Sequence, residues 1–127
     1  MKVIIAGSPD IKAKPGRELL EIGIGDARSH GIEITEVLCG QSRKGIDKCA
    51  REWAKENSVP VVDSGADYDA HRAFGGYMRN HEWVESGDAL IAISTGTAGT
   101  EHLIHAAHAR GLPVFVINVS YASGPAQ

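Results

Sequence analysis

The chain predicts a three-layer α/β domain, a doubly wound, mostly parallel five-stranded sheet with helices on both faces. Three observations carry this. Short β-branched runs alternate with helical stretches in the order β-α-β-α-β-α-β-α-β, the pattern of right-handed crossovers between parallel strands. The runs are apolar throughout rather than alternating, as strands buried on both faces are. Glycine is in surplus, 15 in 127 residues against a usual ~7 %. The glycines at 7, 40, 45, 75, 76, 96 and 99 follow a strand or precede a helix.

Residues 3–6 form a β-branched run stopped by Gly7-Ser8-Pro9-Asp10, a strand entering a loop. Pro15 and Gly16 open a helix that runs to His30, with Leu19, Leu20, Gly23, Ile24 and Ala27 inward, and Gly31 ends it. Residues 32–38 are the second strand. The loop 39–45 follows, and then the clearest helix: Ile46, Cys49, Ala50, Trp53 and Ala54 make one apolar stripe. Residues 59–62 are the third strand, with Pro60 near its start or at a sheet edge. A polar loop from 63 to 75 leads to a helix ending at Glu85 that turns Tyr77, His81 or Met78, and Val84 inward. Residues 88–93 are strand four, and Thr100 is the expected N-cap of a helix to Arg110. Gly111 stops it, and 112–119 is the last strand. The domain spans 1–119, with 120–127 a short polar tail.

Composition narrows the function classes. Thirteen basic against sixteen acidic residues leave −3, so no polycationic surface invites nucleic acid. The apolar runs fall far short of the ~20 residues that span a bilayer, so no membrane partner is expected. Residues 1–8 reach Gly7 and Pro9 too early for a secretory signal. With two cysteines, the expectation is a reduced, cytoplasmic protein.

Several loops carry candidate chemistry, each beside a plainer reading. Gly96, Thr97, Gly99 and Thr100 surround a helix N-terminus, where amides and the helix dipole favour a phosphate; the alternative is a tight βα turn with its cap. Gly40, Gly45 and Asp47 make a second such loop. Asp47 serves either a ribose hydroxyl or the helix dipole, and Arg43 and Lys44 meet a phosphate or water. Arg79 and Asn80, at the start of the third helix, offer a fork for phosphate and an amide for a base or ribose edge; alternatively Arg79 ties its helix to the acidic stretch 63–69. His102, His105 and His108 drift around the helix by about 60° per step, so no metal is expected. Cys39 reads as a buried, inert thiol. Lys48, Arg51 and Lys55, interrupted by Glu52 and Glu56, read as a solvated helix face.

In sequence order, these pieces resemble the YspA-related SLOG family. Val3-Ile4-Ile5-Ala6-Gly7-Ser8 is similar to that family's strand-GSR start, and Leu38-Cys39-Gly40 through Gly45-Ile46-Asp47 to its SGGARGVD loop. Ala66-Asp67-Tyr68, Arg72-Ala73-Phe74-Gly75 and Met78-Arg79-Asn80-His81-Glu82 resemble its ADW, KAAG and IRNREM stretches. Asp88–Ala92, Gly99–Ile104 and Gly111–Val114 continue the likeness. Pro9 replaces a frequent arginine, and the 39–47 loop is one residue longer than usual.

The resemblance implies a Rossmann-like domain that binds a nucleotide or nucleotide-derived small molecule at the C-terminal edge of the sheet, as a sensor, carrier or sequestering protein. The implied contacts come from Gly7, Ser8, Gly40, Arg43, Lys44, Gly45, Asp47, Arg72, Arg79, Asn80, Gly96, Thr97, Gly99, Thr100, Glu101 and His102. A phosphate is expected on the 96–100 turn under Arg79, with Asp47 near a ribose. The alternative is an N-glycosidic hydrolase or transferase. Related enzymes of that kind carry GT-x-x-E with a catalytic glutamate; here Ile104 stands in its place and Glu101 faces elsewhere on the helix. No cofactor is expected, and the sheet's edge strands suggest a homodimer or larger homo-oligomer.

Overall fold

The computed structural model describes residues 1–62 and 75–120. Its elements run β1 (Lys2–Gly7), α1 (Ala13–Ser29), β2 (Glu36–Leu38), α2 (Gly45–Glu56), β3 (Val61–Val62), α3 (Gly75–Ser86), β4 (Ala89–Ser94), α4 (Ala98–Ala109) and β5 (Val114–Asn118). The strands form a five-stranded sheet in the order β3-β2-β1-β4-β5, and every pair is parallel. β1 and β4 lie side by side at the centre, Val3 opposite Ala89 and Gly7 opposite Ile93.

The continuous apolar strands serve two cores at once. Val3, Ile5, Ala89, Ile91 and Ile93 pack with Leu20, Ile24 and Ala27 of α1 and with Ile46, Ala50 and Trp53 of α2. Their neighbours Ile4, Ala6, Leu90 and Ala92 face the opposite way, onto Trp83 and Val84 of α3 and Leu103, Ile104 and Ala107 of α4. This two-residue alternation is the pleat itself, and it makes the three layers predicted from the sequence.

Boundaries differ in places for identifiable reasons. α1 begins at Ala13, with Pro15 in a first turn whose amides have no helical partner in any case. β2 begins at Glu36 rather than 32: Ile32 and Ile34 are buried, but ahead of the strand the amides of Thr35 and Glu36 both point to the Met1 carbonyl. β3 is only two residues long, and the Pro60 carbonyl accepts from Val37 N–H before the strand starts. β5 likewise opens at Val114. Among the described side chains of α3, Asn80, Trp83 and Val84 are inward, whereas His81 is exposed. The expected contacts of Tyr77 and Met78, and the 63–74 loop, lie outside the described side chains.

Three helices close the same way. His30, Asn57 and Arg110 are the C-caps of α1, α2 and α4. In each case the second residue after the cap donates back to the third-last helical carbonyl: Ile32 to Ala27, Val59 to Ala54 and Leu112 to Ala107. The residue between must adopt a left-handed backbone. Gly31 and Gly111 supply it, but in α2 the position is Ser58, at φ 56°.

Candidate functional site at the switch point

From β1 the chain moves outward to β2 and β3, then returns to β4 on the other side of β1. Loops leaving β1 and β4 therefore diverge, and the crevice between their carboxyl ends is where open α/β sheets bind ligands. The first of these loops starts with a close approach. A Cβ on Gly7 would stand 2.1 Å from Ile46 Cγ1, so glycine lets the start of α2 lie directly against the strand end.

Ser8, fully buried, ties the two loops together. Its amide donates to Ile93 O at 3.0 Å, and its Oγ accepts from Thr95 N–H at 2.9 Å. The same hydroxyl pairs with Thr97 Oγ1 at 2.7 Å and reaches Thr100 Oγ1 at 3.5 Å. The N-cap of α4 is Thr97, and its side chain caps no amide. Thr100 is not the cap: it lies in the first turn, buried, accepting from Thr97 Oγ1 at 3.3 Å. Glu101 N–H makes the first helical bond, to Thr97 O. The amides of Ala98, Gly99 and Thr100 therefore have no partner within the helix.

Next to this turn is a cleft of about 550 Å³ lined by Asp10, residues 94–96, Glu101 and residues 118–120. Its floor is cross-linked by side chains. Ser94 Oγ donates to Glu101 Oε2 at 2.7 Å and accepts from Gly96 N–H at 2.9 Å. Thr95 Oγ1 donates to Asp10 Oδ1 at 2.8 Å. Gly96 makes the turn at φ +94° with open space where a Cβ would be.

Glu101 thus belongs to the cleft. Counted from Thr100, the acid of a GT-x-x-E motif falls on Leu103, one residue before the expected Ile104. Both are buried in the core, so neither position offers a carboxylate. The α4 acid that reaches the cleft is Glu101.

On the other side of β1, α2 grips its own preceding loop. Arg51 Nη1 donates to Gly40 O at 2.8 Å and Nη2 to Ser42 O at 2.5 Å, while Asp47 Oδ2 accepts from Ser42 N–H at 3.3 Å. Arg51 is therefore a strut inside the loop, not part of a solvated face, and Asp47 braces the same turn. This pairing is invisible from the sequence because guanidinium and carbonyls lie about ten residues apart. Arg43 and Lys44 are exposed on the held loop, and Gly45 turns it at φ +71°. Cys39 is buried. Cys49 donates from Sγ to Ala13 O, and burial, reinforced by Glu52, pushes its thiol pKa up.

On the α3–α4 face, Asn80 is 2 % exposed. Its Nδ2 donates to Gly99 O at 3.2 Å and to His102 Nδ1 at 3.1 Å. It fastens the first turn of α4 and leaves the other ring nitrogen of a neutral His102 as the donor. Burial lowers the His102 pKa, with help from His81 and His105; the His81 ring meets it edge-on at 5.5 Å. α3 starts at Gly75, so Arg79 and Asn80 occupy its second turn rather than opening it. The Arg79 side chain and all of Arg72 lie outside the described residues. Among the described residues, no group of three or more His, Cys, Asp or Glu is placed to hold a metal ion, and no helix is long and apolar enough to cross a membrane.

No curated protein matches the chain at a significant level. The profile of the YAcAr family does match, over residues 1–71, which takes in β1 to β3, the Ser8 loop and the loop clasped by Arg51. With more than half of its length matched and the expected parallel α/β architecture, the chain belongs to the YspA, cpYpsA-related SLOG family.

Proposed function

We propose that this protein binds a nucleotide or nucleotide-derived small molecule at the carboxyl edge of the sheet, as a sensor, carrier or sequestering protein. One observation carries the reading. At the switch point, a cleft opens beside the uncapped first turn of α4, and next to it the amides of 98–100, without partners inside the helix, suit a phosphate. Family membership agrees in kind. In this reading the phosphate rests on the amides of 98–100, with Arg79, Arg72, Arg43 and Lys44 as the cations to be tested around it. Asp47, already engaged with Ser42 N–H, acts first as a brace for its loop. Native mass spectrometry of freshly purified protein tests the proposal. A co-purified mass that matches a nucleotide derivative is expected, and calorimetry with nucleoside monophosphates should then give saturable binding. Neither signal, at ligand concentrations up to millimolar, ends it.

Glu101 keeps a second reading open, that of N-glycosidic cleavage, because its carboxylate lines the cleft. Incubation with nucleoside monophosphates separates the two. Binding alone releases little free base; rapid release abolished by Glu101→Gln makes the protein a glycosidase.

A further inference from the structure

The hydrogen-bonding groups of the cleft are unevenly committed. Thr95 N–H is taken by Ser8 Oγ and Gly96 N–H by Ser94 Oγ. The hydroxyl hydrogens of Ser94 and Thr95 go to Glu101 and Asp10. The loop's own donors therefore face inward. The remaining lining donors, the Asn118 amide and the Ser120 hydroxyl, sit at the end of β5. The 94–101 side of the cleft and Asp10 offer acceptors, each carboxylate taking one protein hydrogen bond, at Glu101 Oε2 and Asp10 Oδ1. Glu101 Oε1 and Asp10 Oδ2 have no hydrogen-bond partner among the described residues. An anion set here would meet two negative groups and amides that are already engaged. Adjacent hydroxyl groups would meet two strong acceptors, and hydrogen bonds to ionised acceptors are about twice as strong as neutral ones.

We infer that Glu101 and Asp10 form a specificity pair that selects a vicinal diol, the 2′,3′-hydroxyls of a ribose, in the cleft beside α4. This rests on the proposed nucleotide-binding reading and sharpens it. It divides the ligand between two parts of the same loop, with the phosphate on amides 98–100 and the sugar against the carboxylates. It also moves the ribose contact from Asp47, where the sequence put it, to residues that the sequence left without that role. Asp10 follows the β1 strand and Glu101 opens α4, so only the β1–β4 pairing brings both to one cleft.

Glu101→Gln makes a clean probe because the constraint at Ser94 survives. Ser94 Oγ already accepts from Gly96 N–H and donates its hydrogen to residue 101. With the glutamine oxygen on Ser94, the Ser94 hydrogen keeps its acceptor, and the NH₂ replaces an acceptor with a donor in the cleft. The measurement is calorimetric affinity for AMP, GMP, CMP and UMP, each against its 2′-deoxy and 3′-deoxy form. Using the ratio of ribo to deoxy affinity cancels any effect of the lost charge on the phosphate. The wild-type protein should prefer the ribonucleotide about tenfold or more, in line with one hydrogen bond to a charged group. Glu101→Gln should bring the ratio close to one. Asp10→Asn, at an exposed position that leaves the core alone, should reduce it severalfold and supplies the answer if the first variant is poorly folded. A wild-type ratio near one, or a ratio unchanged in both variants, overturns the inference while nucleotide binding stands. If no monophosphate binds the wild-type protein, the inference and the reading beneath it fall together.

Discussion

Gly7→Ala tests the architecture of the switch point with a single methyl group. An alanine Cβ at this position would lie 2.1 Å from Ile46 Cγ1, 2.6 Å from its Cβ and 3.1 Å from its Cγ2, where carbon pairs normally rest at about 3.5–4.0 Å. Turning the Ile46 side chain would move Cγ1 and Cγ2, but its Cβ is fixed to the helix. The start of α2 therefore has to withdraw by roughly 1 Å from β1. Overpacking of this kind costs about 1–3 kcal/mol, and with the helix itself obstructed the upper end is expected. Urea unfolding reads this as a lower midpoint at an unchanged slope. The double variant with Ile46→Ala is the control. Ile46 is 2 % exposed, so its own truncation costs about 2–5 kcal/mol, yet it removes two of the three overlaps. The pair should cost at least about 1 kcal/mol less than the sum of the singles, well outside the ~0.5 kcal/mol scatter of independent sites. A Gly7→Ala protein as stable as wild type, or additive singles, would refute the close approach.

Ser58→Gly should raise stability by about 0.5–1 kcal/mol, since a left-handed non-glycine residue costs about 1–2 kcal/mol and glycine returns part of that gain as unfolded-state entropy; a loss in thermal unfolding would contradict the strain at φ 56°. Arg51→Ala should cost about 1–3 kcal/mol, as two carbonyls lose a charged donor, and should speed amide exchange at residues 40–44 more than elsewhere; uniform exchange would show that the strut is dispensable. His102 should make stability depend on pH. Its folded pKa lies below the ordinary ~6.5, so the unfolded chain takes up the proton first as pH falls, and stability present above about 6.5 is lost below it. The stability difference between wild type and His102→Asn should therefore shrink from pH 7.5 to 5.5; a constant or widening difference would refute the assignment.

Legibility followed the range of the interactions. The α2 stripe is plain in the sequence because every member of it, from Ile46 to Ala54, meets the same core. β1 and β4 are equally plain, as both faces of each are apolar. Ile32 and Ile34 mislead, being buried ahead of the strand they were expected to form. Trp83, which is buried, is hard to read from the sequence because Tyr77, His81 and Val84 make a competing stripe at helical spacing. At the site, Thr97 and Thr100 are equally good cap residues in local terms; the difference is made by Ser8, whose hydroxyl meets Thr97 across 89 residues of sequence. Asp10 reaches Thr95 across 85, and no short motif could reveal that.

The placement of β1 also bears on how the protein comes into being. Its inner partner β4 is made only after β2, α2, β3 and α3, so a growing chain carries Val3, Ile4 and Ile5 with one flank of their strand unpaired until then. Pairings between distant segments of this kind slow folding, and the exposed strand edge is a place for chaperones or for misassembly. Ser8 and Asp10 emerge early and wait for Thr95, Thr97 and Glu101. A nascent chain therefore has no complete cleft to offer, and occupancy marks a molecule whose central strands have already joined. On the proposed binding, free ligand at a hundred times its Kd would hold that joined state by about 2.7 kcal/mol.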